Sequence, residues 1–306
     1  MSHIYEALQR AEAERTSAAH EDDVRVDPES LSMAHPATAV LLESAVEESH
    51  NSSISRVSPT FLSDIPRRPW KPSFERLPSL QKGGDAVEQF RSLRSRIHEF
   101  RDLKKLKSLL VSSALPKEGK SFIAANLAVN LARHKSSKVL LIDGDMRSPS
   151  LHRTLGCESS PGLSDYLAGK ASILEVMQSS EAPTDQDPMI AAVFNNLAFI
   201  PGGEGGDRAA DLSGNKRFDE LLTTVAPYFD WIVVDSSPVL SVSDAVNLAR
   251  ACDAVLLVAR AGVTTFPVAQ RAQHELKSSN IIGFVLNAVD KPPILGNYYG
   301  YGGNKE

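Results

Sequence analysis

Three groups of residues in this chain of 306 have the types and spacing to handle a chain of phosphates. The first is Ser112-Ser113-Ala114-Leu115-Pro116-Lys117-Glu118-Gly119-Lys120-Ser121, which closes on Gly-Lys-Ser and opens a helical stretch. A loop of this kind turns backbone N–H groups and a helix N-terminus toward an anion. The Lys120 ammonium would reach the terminal phosphates, and the Ser121 hydroxyl would sit on a Mg²⁺ ion. Ala114, Lys117, Glu118, Gly119 and Phe122 complete the candidate lining. The second group is Asp143-Gly144-Asp145-Met146-Arg147, at the end of an apolar run. One residue separates its two carboxylates, so on an extended backbone they project to the same side. The third is Asp235, which closes Trp231-Ile232-Val233-Val234 as a Walker B carboxylate would. Gly-Lys-Ser alone describes many ordinary β–α turns. Three carboxylates at strand ends beside it make a constellation for Mg²⁺ and a nucleotide.

These groups need a scaffold that brings strand ends together. Short β-rich apolar runs occur at 109–111, 139–142, 197–200, 231–234, 255–258 and 281–286. Helical stretches at 121–134, 216–225 and 265–278 separate several of them. Another, 85–106, repeats Val87, Phe90, Leu93, Ile97 and Phe100 at intervals of three and four. Buried strands alternating with helices predict an α/β fold of the P-loop NTPase kind over 81–290, its mostly parallel sheet flanked by helices. Right-handed crossovers place the loops after the strands along one edge, and all three groups fall on such loops.

The flanks read differently. Residues 2–15 predict a short amphipathic helix, with Ile4, Tyr5, Leu8 and Ala11 near one face, a candidate docking peptide. Residues 17–78 are rich in Ser, Pro, Glu and Asp and predict a flexible linker, so 1–80 forms a largely disordered N-terminal extension. The tail, 291–306, contains Tyr298, Tyr299 and Tyr301, half of the six tyrosines, among Gly and polar neighbours that cannot pack them into a core. A net charge of −5 provides no field for nucleic acid or anionic lipid. Cys157 and Cys252 form no C-x-x-C pair, and the eight histidines are scattered. No apolar run approaches the roughly 20 residues of a membrane span, and the N-terminus lacks the apolar core of a secretory signal. A cytoplasmic chain that meets the membrane only through a partner is the expectation.

The loop ending in Gly119-Lys120-Ser121, the Asp143–Arg147 motif and the Asp235 strand together resemble the bacterial tyrosine kinases (BY-kinases) of capsule and exopolysaccharide systems, within the Mrp/MinD group of P-loop ATPases. The resemblance runs from about residue 85 to the C-terminus. It implies ATP as substrate and Mg²⁺ as cofactor, with Lys120, Asp143 and Asp145 catalytic. Asp143 would assist removal of the acceptor proton, and Ser121, Asp143 and Asp235 would serve the metal. Arg147 would join the nucleotide site, and Asn287, at the last strand end, matches an adenine-contacting Asn. The helix motif Glu88-x-x-Arg91-x-x-Arg94 matches one that assembles subunits into a ring, although its spacing by itself describes only a helix face. Tyr298, Tyr299 and Tyr301 would be the phosphoacceptors, reached in trans. A separate transmembrane chain-length regulator and a protein tyrosine phosphatase are the implied partners.

Ala114 stands where the first Gly of the strict P-loop pattern would be, and two features depart from the family: the tyrosine cluster is short, and Lys117 replaces the first Gly of Pro-Gly-Glu-Gly-Lys-Ser. A Lys there either adds a cation near the phosphates or perturbs the loop if the backbone needs positive φ. Two other readings share the motifs. One is a MinD- or ParA-like ATPase, against which Leu115, five before Lys120, speaks, since such proteins carry a Lys there. The other is an ATP-binding assembly adaptor without kinase activity.

Overall fold

A computed structural model describes residues 60–104, 106–181 and 187–289, all within one compact unit, Ser55–Glu306. The expected helix at 2–15, the linker up to residue 59 and the tail tyrosines lie outside the described residues.

Each apolar run of the sequence becomes a strand, buried on both faces except the last, at 281–286, which is half-exposed. The strands are β1 (Arg67–Arg68), β2 (Ser108–Ser113), β3 (Val139–Asp143), β4 (Gln178–Ser180), β5 (Leu197–Ile200), β6 (Trp231–Asp235), β7 (Ala254–Arg260) and β8 (Ile281–Asn287). Among the described residues they form one sheet in the order β1-β4-β5-β3-β6-β2-β7-β8. Neighbours are parallel except β4 and β5. Successive side chains alternate between two cores, as the two-residue period of a strand requires. Leu109, Val111, Val139, Leu141, Trp231 and Val233 face one, while Leu110, Leu140, Ile142, Ile232 and Val234 face the other.

Helices cover both faces. They are α1 (Asp85–Lys104), α2 (Lys120–Ala132), α3 (Leu151–Leu155), α4 (Leu163–Leu167), α5 (Ile173–Val176), α6 (Pro188–Asn196), α7 (Ala209–Ser213), α8 (Arg217–Val225), α9 (Asp244–Ala251) and α10 (Phe266–Glu275). The first core takes its helical side chains from α1, α2, α3 and α6, and the second from α4, α5 and α7 to α10. Every residue of α2 from Ile123 to Ala132 is buried, because α1 packs outside it. Its alanines let the helix approach the sheet closely.

The fold reaches further toward the N-terminus than composition suggests. Within the stretch 60–80, expected as linker, Ile65, Trp70, Leu77 and Leu80 are buried. Trp70 sets its ring edge-on to Phe194 and Phe199, at 5.7 and 6.3 Å. The Lys71 N–H donates to the Gly156 carbonyl (3.0 Å), and β1 pairs with β4. These apolar residues are spaced too irregularly to show helical or strand periodicity, so only their tertiary contacts reveal them as core.

Candidate functional site

The site is made by strand order. β6 follows β2 and β3 in sequence but lies between them in the sheet. Its terminal Asp235 is register partner to Val111 on β2 and to Asp143 on β3. The loop after β2 and the turn after β3 therefore flank Asp235 at the carboxyl edge of a parallel sheet, where α/β folds place ligands. Gly144 closes the approach. Its N–H donates to the Asp235 carbonyl (2.9 Å), and a Cβ there would lie 2.5 Å from that oxygen and 2.8 Å from Leu248 Cδ1.

Lys120 and three carboxylates converge here. Lys120 Nζ lies 2.9 Å from Asp145 Oδ2 and donates to Ser121 Oγ (3.3 Å). Asp143 Oδ2 accepts from the Ser150 and Leu151 N–H groups (2.9 and 3.0 Å), while Oδ1 holds only a long contact to the Asp145 N–H (3.3 Å). Neither oxygen of buried Asp235 has a hydrogen-bond partner of normal geometry. Burial, and then the Asp235 charge, push the Asp143 carboxyl up to about 7. Burial pushes Asp235 up to about 6, against the opposing pull of Lys120 and the Ser121 hydroxyl. For Lys120, burial works to lower the pKa, but Asp235, Asp145 and Asp143 outweigh it and hold the ammonium above its ordinary range. Anionic and cationic charge thus face each other in a pocket where solvent screens little.

The phosphate loop is braced from the ends of the neighbouring strands β7 and β8. Buried Glu118 accepts from the Leu115 N–H across its own loop (2.7 Å) and from the Thr264 hydroxyl. Thr264 in turn accepts from the Arg260 N–H (2.8 Å), and Arg260 Nη1 donates to the Lys117 carbonyl (3.1 Å). Asn287 Nδ2 donates to the Glu118 carbonyl (2.9 Å). Gly119 has φ +96, and a Cβ there would meet Asn287 Nδ2 at 2.0 Å. Lys117 holds φ 65, the left-handed conformation that a Gly would adopt freely. Ala114 is buried and accepts from the Leu240 N–H (3.2 Å), so a small side chain, without the freedom of Gly, fits its position.

The other candidates are placed as follows. Arg147 does not face the loop. Its Nε donates to Asp244 Oδ2 (2.7 Å) and Nη2 to Oδ1 (3.4 Å). Phe122 is partly exposed and packs on Phe90 of α1, with ring centroids 5.8 Å apart. On α1, Glu88 and Arg91 pair on an exposed face, whereas Arg94 Nη1 donates to the Asn130 carbonyl of α2 (3.1 Å). Sequence reasoning missed Asp244, Arg260 and Thr264. Asp244 follows Ser243 at a helix start, a readable signal, but its pairing with Arg147 is long-range. Among the described residues no group of three or more His, Cys, Asp or Glu is arranged as a metal site, and no helix is long and apolar enough to cross a membrane.

A phosphate loop after one strand, with carboxylates from the ends of the next two strands in the sheet, defines a P-loop nucleotide-binding fold of the ATPase class. A family model described as AAA domain matches residues 117–266. The chain is 33% identical over 222 residues to tyrosine-protein kinase YwqD of Bacillus subtilis (strain 168), covering 72% of this chain and 87% of that protein. It is 32% identical over 219 residues to tyrosine-protein kinase wzc of Salmonella typhimurium, covering 71% of this chain but spanning only 28% of wzc. The structure of the kinase domain of Escherichia coli tyrosine kinase ETK superposes with a TM-score of 0.64 at 30% identity, covering 78% of this chain and 88% of that one. The chain belongs to the bacterial tyrosine-kinase family.

Proposed function

We infer that this chain is a protein-tyrosine kinase that transfers the γ-phosphoryl group of ATP to Tyr298, Tyr299 and Tyr301 of a neighbouring copy, and so regulates exopolysaccharide or capsule polymerisation and export. The observation that carries this reading is the convergence of Lys120, Asp143, Asp145 and Asp235 on one sheet edge beside the phosphate loop. Lys120 would leave Asp145 to hold the terminal phosphates and offset charge that develops on the transferred group. Asp143 Oδ1 is the oxygen free to take the tyrosine proton, and a carboxyl near neutral pKa suits that role. The tyrosine oxygen then bonds to phosphorus as ADP leaves.

Mg²⁺ fits the residues present. The buried Asp235 carboxylate without a hydrogen-bond partner and the nearby Ser121 hydroxyl would hold it, together with phosphate oxygens and water. Few protein ligands are needed, since Mg²⁺ keeps several waters and favours one or two carboxylates plus substrate phosphates. When bound, it would supply charge neutralisation of the triphosphate.

A homo-oligomeric ring built through Glu88, Arg91 and Arg94 would deliver the acceptor tail, and phosphotyrosines at about −2 charge each would loosen it. In this reading the chain works in the cytoplasm. A transmembrane chain-length regulator recruits it to the inner membrane face, and a tyrosine phosphatase resets it.

Mass spectrometry of the C-terminal peptide after incubation with Mg²⁺ and ATP tests the kinase chemistry. Phosphate on the tail tyrosines that is lost in Lys120→Met is the expected result. A tail left unmodified with and without candidate regulator tails, despite ATP binding, would leave an ATPase or an assembly adaptor.

A further inference from the structure

On the far side of the loop that follows Asp235 lies a second cleft, of about 430 Å³. Val239, Leu240, Val242 and Val246 supply its apolar lining, with Arg250 from α9 and Arg271 from α10. Both arginines are exposed, and among the described residues neither makes an ion pair or hydrogen bond. Glu275, the one acid in the lining, leaves the cleft net positive. The wall between this cleft and the nucleotide site is thin. The Val239 N–H donates to the Ser113 carbonyl (2.8 Å) and the Leu240 N–H to the Ala114 carbonyl (3.2 Å), at the start of the phosphate loop. Ser243 precedes Asp244, which grips Arg147.

We propose that this cleft binds phosphotyrosine of the C-terminal tail, the product of the reaction inferred above, on which this proposal rests. An open cleft that sets apolar side chains beside Ser241, Ser243, Asn247 and two unpaired guanidiniums matches an aromatic ring that carries a dianion. An unmodified tyrosine matches the apolar lining but offers the guanidiniums nothing. The neighbouring copy's tail must reach the catalytic edge to be phosphorylated, and this cleft shares a wall with the phosphate loop. Tyr298, Tyr299 and Tyr301 lie within four residues. One phosphotyrosine held in the cleft therefore keeps the next tyrosine within about 11 Å, beside the catalytic edge. Binding of the first product raises the effective concentration of the remaining acceptors and favours tails that carry several phosphates.

The test is fluorescence polarisation on the full chain carrying Lys120→Met, which supplies no phosphate of its own. The probes are a peptide of residues 294–306 phosphorylated on Tyr301 and the same peptide unmodified. The phosphopeptide is expected to bind at least about tenfold more tightly, and Arg250→Ala with Arg271→Ala should abolish that preference while the circular dichroism spectrum and the thermal transition are retained. The corresponding Arg→Lys pair should keep part of it. Equal binding of the two peptides, or a preference untouched by the arginine variants, overturns the proposal. The phosphate is supplied on the peptide, so an inactive kinase and an absent cleft give different results. If tail phosphorylation occurs in the wild type but the arginines do not matter, the cleft is wrong and the kinase reading stands.

Discussion

Asp143 shows how burial sets chemistry. In the strand it ends an apolar run; in the fold it is fully buried, beside a second buried carboxylate, and burial lifts it to about 7. A carboxyl whose folded pKa lies above its unfolded value of about 4 holds, in the folded chain, a proton that the unfolded chain has released. Its effect is therefore to lower stability as pH rises from about 4 to about 7, and Asp235, at about 6, acts in the same direction. We predict that the Tm of the nucleotide-free chain falls between about pH 4 and about pH 7 and levels off above it. In Asp143→Asn the fall should be shallower and the Tm at the upper pH higher, since the amide oxygen still accepts from Ser150 and Leu151. The same variant should lose about 100- to 10,000-fold in kcat. Equal slopes in thermal scans of both proteins would refute the stability argument.

The phosphate loop depends on elements far from it in sequence. A turn between β7 and α10 and the end of β8 hold Glu118 and the Lys117 carbonyl in place. This bracing accompanies a loop in which Ala114 and Lys117 stand where glycines are usual, and Lys117 remains at positive φ. Thr264→Val removes the hydroxyl that donates to buried Glu118, and an unsatisfied buried acceptor costs about 1–3 kcal/mol. Isothermal titration calorimetry should show ATP affinity about tenfold weaker in Thr264→Val and close to wild type in Thr264→Ser. Unchanged affinity in Thr264→Val would mean that the loop holds its shape without the brace. The helix α2 was legible from its apolar run and its Gly-Lys-Ser start; α3, α4, α5 and α7 were not, because four- and five-residue helices are too short for a 3.6-residue period to declare itself.

The described fold begins before the boundary expected at residue 81. Ile65, Trp70, Leu77 and Leu80 each bury a large side chain, at about 1.5–3 kcal/mol apiece. Together they rival the 5–15 kcal/mol by which domains of this kind are stable. A chain starting at residue 60 should keep its thermal transition, whereas one starting at residue 81 should lose it or aggregate. Trp70→Ala alone should cost about 3–5 kcal/mol in denaturant titration. A folded, fully stable chain starting at residue 81 would show the segment to be a passive strap.

The strands at 197–200, 231–234 and 255–258, the Gly-Lys-Ser loop and the strand-end aspartates were all readable, because buried strands and anion-binding loops need particular residue types in unbroken local runs. The partners of those residues were not. The placement of β6 between β2 and β3, the pairing of Arg147 with Asp244 and the bracing of Glu118 by Thr264 join residues roughly a hundred positions apart or more. Contacts over such separations leave no periodic trace in the chain. Only the tertiary structure decides them, because strand order and side-chain packing are properties of the whole core and not of any one segment.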